Sequence, residues 1–445
     1  MAVQRGNGSR GPHLSRSIPV HFSVVLIFVL AVAGAACTPA PQGNIGGTVR
    51  VVGSWSGREE ESFLAMVRPF EQRTGVTVQY LGTRDLSAKL WEGVAKGTPP
   101  DVAGLPGPGQ MAEFARVGAL KDLGEEIDVA RYKAETVPAF IELGTIDGRL
   151  VGVFIKATLK GLIWYNPRMY TLETPSTWTD LEARAGQAAR GATKTWCVGL
   201  ESQATSGWPG TDWIEDIVLR QSGPDLYDDW TEGRVRWTSP EIRSAFEQYG
   251  DIIEDSWAGP SGVIATTFED GGNQLFEDPP GCLFHHQGTF MTEFFKSRAG
   301  ARDTEYDFFS FPVLDERFAN SVTGGGDLFG MFTNTPQAKA LMQYLLTPEA
   351  QSIWVSRGGA LSVNTRVTDY PDDISRRAAQ VLTTAERFRF DASDLMPEAM
   401  GTAFLQAVLD YTRSPTSLDS ILASLDAVQA TAYGADQTGP VDDAP

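Results

Sequence analysis

The chain has 445 residues, of which 42% are hydrophobic, and it carries a formal net charge of −19. This length allows two or more domains with substantial cores, and the hydrophobic fraction is that of an ordinary globular protein. The strong negative charge argues against nucleic acids and anionic membrane surfaces as partners.

The first 36 residues have the pattern of a signal peptide. A basic leader without acidic residues precedes an apolar run at residues 22–36, and that run is shorter than the roughly 20 residues that a membrane-spanning helix needs. Removal of residues 1–36 takes the formal net charge from −19 to −22, because it deletes Arg5, Arg10 and Arg16. No later apolar stretch has the length of a membrane span, so the mature body is expected to be soluble.

Residues 34–37 (GAAC) resemble a lipobox, the signal at which bacterial lipoproteins are cleaved. The resemblance implies that Cys37 is lipidated and becomes the mature N-terminus, although Gly34 stands where the motif prefers leucine. Ordinary signal-peptide cleavage without lipidation is the alternative. Residues 37–47 then predict a flexible, lipid-anchored tether that holds the folded body at the outer face of the cytoplasmic membrane or in the periplasm.

Strand and helix alternate in the region that follows the tether. Alternation of this kind predicts an α/β domain with a largely parallel sheet. Predicted strands, each followed by a predicted helix, cover residues 48–55, 76–81 and 101–105. Because ligands bind beyond the carboxyl ends of the strands in such sheets, three loops are of interest: residues 53–57, 82–85 and 106–110.

An extended segment at residues 152–165 is rich in β-forming residues and is followed by a turn. It has the pattern of a strand that leaves one domain for another. On a strand, Lys156 and Lys160 lie on the same face.

The C-terminal two thirds of the chain contain further helical patterns. Helices are predicted around residues 178–192, 241–254 and 334–354, and a strand is predicted at residues 308–313. A run of glycines at residues 323–326 indicates either a close approach between backbones or a sharp turn. Residues 433–445 are polar and predict a disordered tail.

Two cysteines remain beyond Cys37, at Cys197 and Cys282. An even pair in an oxidising compartment predicts a disulfide bond, with two buried free thiols as the alternative. Closing so long a loop restricts the unfolded chain and would stabilise the fold by roughly 4 kcal/mol.

Signatures of enzymes and cofactor sites are weak. The glycine runs lack the Lys-Ser/Thr of a P-loop, and no G-x-G-x-x-G follows a predicted strand. His285 and His286 are adjacent, so on a strand they point to opposite faces and cannot chelate one metal ion. Asp212, Glu215 and Asp216 are typical of the favourable charges in the opening turn of a helix. We therefore expect no enzyme activity, no cofactor and no metal site.

Residues 201–216 (ESQATSGWPGTDWIED) combine two tryptophans with glycine, proline and short polar residues. Glycine and proline at this density predict a loop, and Thr211 or Asp212 could cap the helix that follows. An indole on a loop beside hydrogen-bonding groups suits a ligand with apolar faces and many hydroxyls, such as a sugar. Trp208 lies outside any helical apolar pattern, whereas Trp213 lies beside one and has a core position as its alternative.

Several stretches together resemble the extracellular solute-binding proteins (family 1) of carbohydrate ABC transporters, most closely those that bind α-glucosides. The matching stretches span about residues 47–430 and include SWSGREEESF, PPDVAGLPGPGQMAEF, GVFIKATLKGLIWYNP, GWPGTDWIED and DPPGCLFHHQGTF. The resemblance implies an extracytoplasmic lipoprotein that captures an α-glucoside, a di- or oligosaccharide, and delivers it to the permease.

The resemblance also implies the fold. It is a two-lobed periplasmic-binding-protein fold of type II, in which each lobe has a central, mostly parallel sheet flanked by helices, and crossing strands form the hinge. The N-terminal lobe would comprise residues 45–156 and 313–356, and the C-terminal lobe residues 157–312 and 357–432. Crossovers would lie near Lys156, Pro312 and Gly358. The disulfide between the two cysteines would lie within the C-terminal lobe.

The resemblance and the strand-end loops together indicate candidate sugar contacts, of which Trp208 is the first. The other candidates are Trp55, Ser56, Arg84, Asp85, Gln110, Lys156, Lys160, Trp213, Gln287 and Asp327. Each has a structural alternative, since Asp85 could only cap a helix, Arg84 could only pair with it, and the two lysines could face solvent.

Two other functional classes stay open, a secreted glycan-processing hydrolase and a surface adhesin. A transport receptor predicts stoichiometric binding without turnover and closure of the lobes around the ligand, whereas a hydrolase must accumulate product. The expected partners are a small-molecule sugar and the transmembrane subunits of the permease. We expect a monomer that binds no nucleic acid and contacts the membrane only through its lipid anchor.

Overall fold

A computed structural model describes residues 44–105 and 107–434 of the chain. The signal peptide, Cys37 with most of the tether, and residues 435–445 lie outside the described residues. In chain order the strands are β1 Thr48–Gly53, β2 Thr77–Gly82, β3 Val102–Leu105, β4 Thr145–Ile146, β5 Arg149–Leu150, β6 Gly152–Leu159, β7 Leu162–Tyr165, β8 Lys194–Cys197, β9 Cys282–His286, β10 Asp307–Ser310, β11 Ser321–Met331 and β12 Arg387–Phe390.

The helices surround these strands. In chain order they are α1 Arg58–Thr74, α2 Leu86–Ala95, α3 Pro108–Arg116, α4 Val129–Glu135, α5 Pro138–Leu143, α6 Trp178–Ala188, α7 Trp208–Ser222, α8 Pro224–Thr231, α9 Pro240–Glu254, α10 Gly259–Ala265, α11 Met291–Ser297, α12 Pro336–Leu345, α13 Pro348–Arg357, α14 Asp373–Thr384, α15 Ala392–Leu395, α16 Glu398–Arg413 and α17 Leu418–Ala432. No helix in the described part of the chain is long and apolar enough to cross a membrane.

The first sheet has six strands and confirms the alternation predicted for the N-terminal region. Its order is β12-β11-β3-β1-β2, and β6 also pairs with β11. The strands β1, β2 and β3 are mutually parallel, while β11 runs antiparallel to β3 and β6. The helices α1, α2 and α3 follow β1, β2 and β3 directly, so the three strand-end loops lie on one edge of this sheet.

The second sheet has four strands in the order β10-β7-β9-β8. Only β8 and β9 pair in parallel, while β7 is antiparallel to both β9 and β10. The mixed α/β class is confirmed, but the expectation of a mostly parallel second sheet is wrong. The reason is that β7 and β10 come from segments that cross between the sheets, and such segments need not return in the same direction as their neighbours.

The two sheets are joined by short crossing segments. Residues 160 and 161 connect β6 of the first sheet to β7 of the second, and residues 311–320 connect β10 to β11. The strand β12 returns to the first sheet from the segment after residue 357. The exact division of the chain into two lobes stays a prediction.

The glycine run in β11 reflects a close approach between strands and contains no turn. A Cβ on Gly325 would lie 2.8 Å from a carboxylate oxygen of Asp391, and one on Gly326 would lie 2.8 Å from the carbonyl oxygen of Lys156. Side chains at these positions would therefore push β11 away from β6 and from the residue that follows β12. Glycine here lets charged groups approach the crossing segment.

The second sheet packs against α7, α9 and α16 in a core rich in aromatic residues. Trp213 is 1% exposed in this core, and its ring centroid lies 4.1 Å from that of His286 on β9. The predicted disulfide between Cys197 and Cys282 is confirmed, and it joins β8 to β9 with a Cα–Cα distance of 5.4 Å. After α17, the hydroxyl of Tyr433 still donates to the carbonyl of Thr231 at 2.7 Å.

The segment that contains the two tryptophans differs from its sequence prediction. The helix α7 begins at Trp208, with Gly207 as the N-cap residue at φ 104° and Pro209 in the first turn. Proline is well suited to that position because it lacks the N–H that would be unpaired there. Capping by Thr211 or Asp212 is therefore wrong, since both lie inside the helix, and Trp208 is its first residue.

Candidate functional site

The ammonium of Lys160 lies at the junction of the two sheets, in the segment between β6 and β7. Its Nζ is 2.9 and 2.8 Å from the two carboxylate oxygens of Asp212 on α7, and 2.9 Å from Oδ2 of Asp391, which directly follows β12. All three side chains are largely buried. A buried ammonium needs such partners because its desolvation costs several kcal/mol. One charge therefore ties together three elements from different parts of the chain.

A second buried carboxylate, Asp216, connects the same helix to both sheets. It accepts hydrogen bonds from Nε2 of His286 on β9 at 2.6 Å and from the hydroxyl of Thr323 on β11 at 2.5 Å, and it pairs with Arg220. Burial opposes the ionisation of Asp216, but Arg220 and the two hydrogen bonds outweigh it and lower the pKa of this carboxyl. Asp216 is thus an ionised acceptor at the junction.

Carboxyl groups outnumber cations around this junction. The five acids are Asp212, Glu215, Asp216, Asp391 and Asp394, and the two permanent cations are Lys160 and Arg220. Burial, with the charge of Asp391, raises the pKa of Glu215 and of Asp394 well above the ordinary value, and burial raises the pKa of Asp212 to about 7. The sequence interpretation of Asp212, Glu215 and Asp216 as favourable charges in the opening turn of a helix is wrong, because α7 begins at Trp208 and its first turn contains no acidic residue.

Three of these acids approach one another closely. Asp212, Glu215 and Asp391 each offer an oxygen within 4.8 Å of the others, which is a spacing that could hold a cation. Oε2 of Glu215 and Oδ1 of Asp391 are buried without a hydrogen-bond partner. The Lys160 ammonium already contacts the carboxylates of Asp212 and Asp391, so the protein itself supplies a positive charge to this cluster.

An aromatic wall, formed by Trp208, Phe268 and Phe290, stands beside the junction. The indole centroid of Trp208 lies 5.1 Å from that of Phe268 and 5.9 Å from that of Phe290, both with edge-on geometry. Nζ of Lys160 lies 5.0 Å from the Trp208 ring, so a cation covers part of the indole. The indole Nε1 is buried and has no hydrogen-bond partner, although the residue as a whole is partly exposed.

The loop after β2 reaches this wall from the first sheet. The guanidinium carbon of Arg84 lies 5.1 Å from the ring centroid of Phe268, in the geometry of a cation–π contact. Among the described residues Arg84 and Asp85 form no ion pair, and Asp85 occupies the N-cap of α2 without a capping hydrogen bond. The loop after β2 therefore places the guanidinium of Arg84 against the aromatic wall.

The loop after β3 closes against the segment that follows β12. A Cβ on Gly107 would lie 2.6 Å from the Cβ of Asp394, and one on Gly109 would lie 2.8 Å from the carbonyl oxygen of Leu395. Only glycine allows this approach. It brings Gln110 of α3 into the same neighbourhood, where its buried Oε1 has no hydrogen-bond partner.

Lys156 forms a separate buried network further along β6. Its Nζ lies 3.0 Å from Glu59 and 3.1 Å from Asp327, and it also lies 4.5 Å from the ring of Trp354. Burial disfavours the ammonium, but Asp327 and Glu59 outweigh it and raise the pKa of Lys156 to about 12. The indole of Trp55 donates to Asp327 at 3.0 Å.

The structure thus brings together four of the residues predicted from the sequence. Lys160 contacts both Asp391 and Trp208, Arg84 reaches Trp208 through Phe268, and the helix of Gln110 begins where Gly107 and Gly109 approach the segment that follows β12. Trp55, Lys156 and Asp327 form the neighbouring buried network, while Ser56 and Asp85 are exposed on their loops. Gln287 is 1% exposed, with its Oε1 accepting the N–H of Gly288, and Trp213 occupies the core position that the sequence left open as its alternative.

Residues 391–394 were not predicted, although they form the centre of the arrangement. Asp391 binds Lys160, the backbone N–H of Ser393 donates to Glu215 at 3.0 Å, and the hydroxyls of Ser393 and Thr211 lie 3.4 Å apart. The local signal in the sequence is only a pair of aspartates at a spacing of three. Their role depends on contacts with residues more than a hundred positions away.

Comparisons with known proteins show the family to which the chain belongs. A family profile described as "Bacterial extracellular solute-binding protein" matches residues 65–382. The "Osmoprotective compounds-binding protein GgtB" of Synechocystis sp. is 35% identical over 372 residues, which cover 82% of this chain and 88% of that protein. The "Alpha-glucosides-binding periplasmic protein AglE" of Rhizobium meliloti is 33% identical over 398 residues, with 84% and 85% covered.

Solved structures show the same fold. The match to a "Chitin oligosaccharide binding protein" has a TM-score of 0.77 at 16% identity and covers 87% of this chain and 99% of that one. The GacH receptor of Streptomyces glaucescens matches with a TM-score of 0.69 at 16% identity, with the same coverage of 87% and 99%. The chain therefore belongs to the bacterial extracellular solute-binding proteins, a family of receptors that act outside the cytoplasm.

The buried acids predict how the stability of the fold depends on pH. A carboxyl group whose pKa is raised on folding stabilises the fold below its unfolded pKa, and this contribution is lost as the pH rises through the folded value. Because the pKa of Glu215 is raised well above the ordinary value and that of Asp212 to about 7, the melting temperature should fall between about pH 6.5 and pH 8. This window lies above the range in which the buried His285 and His286, whose pKa values are lowered, act in the opposite sense. Glu215→Gln, which keeps an acceptor for Ser393, should raise the melting temperature at pH 8 and flatten this dependence.

The measurement is differential scanning fluorimetry of wild type and variant across that pH range. Glu277→Gln is the matched control, because Glu277 is exposed. An equally steep fall in wild type and Glu215→Gln would show that Glu215 does not take up a proton on folding.

Proposed function

We propose that this chain is the receptor of an ABC importer that captures an α-glucoside, a di- or oligosaccharide, between two lobes and delivers it to the permease. The name of the Rhizobium meliloti relative supports the ligand class, because that protein is described as binding α-glucosides. The relative from Synechocystis sp. is described as binding osmoprotective compounds.

The unpaired indole N–H of Trp208 is the observation that carries the proposal. A buried N–H without an acceptor costs about 1–3 kcal/mol, and the cost is removed when a ligand supplies the acceptor. A sugar hydroxyl accepts such a bond while the C–H face of the same ring packs on the indole. The indole stays partly exposed although Nζ of Lys160 lies over it and Phe268 and Phe290 pack against it.

Complementary polar groups around the wall support the same ligand. Oε1 of Gln110 is a buried acceptor without a donor, and Arg84 is a donor that lies against Phe268. Hydroxyl groups both donate and accept hydrogen bonds, so a polyhydroxylated ring satisfies the orphaned donor and the orphaned acceptor together. A purely apolar ligand would leave both unpaired.

The geometry of the two sheets supports capture by closure. The N-terminal lobe, residues 45–156 and 313–356, would carry Arg84 and Gln110, and the C-terminal lobe, residues 157–312 and 357–432, would carry Trp208. The lobes would turn about the short crossing segments, as in hinge closure around a ligand. Lipidation of Cys37 would keep the receptor beside its permease, and we take it to act as a monomer.

Binding without turnover tests the proposed function. The purified mature chain should be stabilised by maltose, trehalose or sucrose, each an α-glucoside, by about 2.7 kcal/mol for a sugar at one hundred times its Kd. Chromatography of the same mixtures should recover the sugar intact. No shift with any of these sugars, together with accumulation of hydrolysis products, would instead support a glycan-processing hydrolase.

Substitution of Trp208 tests its contribution to the site. Trp208→Ala should weaken binding of the sugar that stabilises best by roughly tenfold to a hundredfold, because stacking and burial of the indole are lost. Trp208→Phe keeps a smaller ring for stacking and loses the N–H, so its affinity should lie between those of wild type and alanine. Isothermal titration calorimetry gives each Kd.

Trp178→Phe is the control, because Trp178 is a partly exposed tryptophan on α6 whose indole donates to Glu182 at 2.9 Å. Trp178→Phe should keep the sugar affinity of wild type.

Because Trp208 packs against Phe268 and Phe290, Trp208→Ala should have a somewhat lower melting temperature, so its titrations are made well below that temperature. If folded Trp208→Ala binds the sugar with the affinity of wild type, Trp208 has only a structural role.

A further inference from the structure

We infer that Asp394 is a specificity-determining residue, which accepts hydrogen bonds from hydroxyl groups of the solute beside Trp208. The inference rests on the proposed function and adds to it a carboxylate contact from the segment that follows β12. Neither the sequence motifs nor the strand-end loops indicate this residue.

The position of Asp394 comes from contacts on both of its sides. A Cβ on Gly107 of the first-sheet loop would lie 2.6 Å from the Cβ of Asp394. On the other side, the hydroxyl of the preceding residue, Ser393, lies 3.4 Å from that of Thr211, which is one helical turn after Trp208 on α7. Asp394 therefore lies between the loop that leads into α3, the helix that carries Gln110, and the helix α7, which begins at Trp208.

The carboxyl of Asp394 has no partner of its own within residues 44–105 and 107–434. Asp212 and Asp391 both bind the Lys160 ammonium, and Asp216 binds Arg220, His286 and Thr323. Asp394 makes neither a hydrogen bond nor an ion pair there, and it is partly exposed where Asp391 is 3% exposed. It is the member of the acidic group that a solute can reach.

The chemistry of this carboxyl favours a polyhydroxylated ligand. Burial and the charge of Asp391 raise the pKa of Asp394 well above the ordinary value, because no donor among the described residues stabilises its ionised form. Two neighbouring hydroxyls of a pyranose could donate to its two oxygens, and such bonds would stabilise the ionised carboxylate that burial disfavours. Together with the N–H of Trp208 and Oε1 of Gln110, these bonds would fix which hydroxyls the site accepts.

The test is Asp394→Asn, which keeps the size of the side chain and replaces one acceptor oxygen with a donor. Calorimetric titration with the α-glucoside that stabilises wild type best should give a Kd raised roughly tenfold to a hundredfold. The melting temperature of the unliganded variant should be unchanged or higher, because the substitution removes a carboxyl from a crowded acidic group. Asp394→Ser is a second variant that should show the same loss.

Two controls separate a ligand contact from a structural role. Asp369→Asn makes the same chemical change at an exposed position and should keep the affinity of wild type. The double variant Asp394→Asn/Trp208→Phe should lose less affinity than the product of the two single losses, because both residues contact the same ring of the solute.

The possible results are distinct. An affinity of Asp394→Asn within twofold of wild type overturns the inference and leaves the proposed function intact. A lowered melting temperature with unchanged affinity also overturns it, by assigning Asp394 a structural role. If wild type binds none of the sugars, the proposed function fails and the inference fails with it.

Discussion

The buried ammonium of Lys160 is the constraint on which the junction of the two sheets depends. A charge out of water must be paired, and the nearest partners of this one, Asp212 and Asp391, come from a helix on the second sheet and from the end of a strand in the first. The chain therefore cannot separate these elements locally without exposing or orphaning charge. Gly325 permits the arrangement, because any side chain there would collide with Asp391.

The same charge also prepares the site beside it. Lys160 lies over the Trp208 ring, which holds the indole at the edge of the junction while Phe268 and Phe290 support it from the side. Of the five carboxyl groups around the junction, Asp394 is the one that makes neither a hydrogen bond nor an ion pair within the described residues. We propose that the carboxyl of Asp394 and the unpaired indole N–H of Trp208 contact the same solute, the first as an acceptor and the second as a donor of hydrogen bonds. The charged groups around Lys160 that hold the two sheets together therefore also form part of the proposed binding site.

Local patterns predicted the fold better than they predicted the site. The alternation of β1 to α3 and the pairing of Cys197 with Cys282 follow from periodicity and compartment, and both are confirmed. The glycine, proline and short polar residues around Trp208 indicate it as a candidate ligand contact. They do not indicate that it is the first residue of a helix, because Gly207 and Pro209 fit a loop as well as a helix start. The only local signal of Asp391 and Asp394 is their spacing of three residues, and their place in the site depends on contacts such as that of Asp391 with Lys160, which is more than two hundred positions earlier. Buried charge networks of this kind are formed only by tertiary contacts.

Hydrogen exchange followed by mass spectrometry, with and without the stabilising α-glucoside, tests the central claim most directly. If the solute binds at the junction between the sheets, exchange should slow in four segments at once: residues 82–86, 107–114, 206–213 and 391–397. These segments are far apart in the chain and meet only at this site. Saturating sugar that leaves all four unchanged, or protects the exposed edge of β2 instead, would contradict the account.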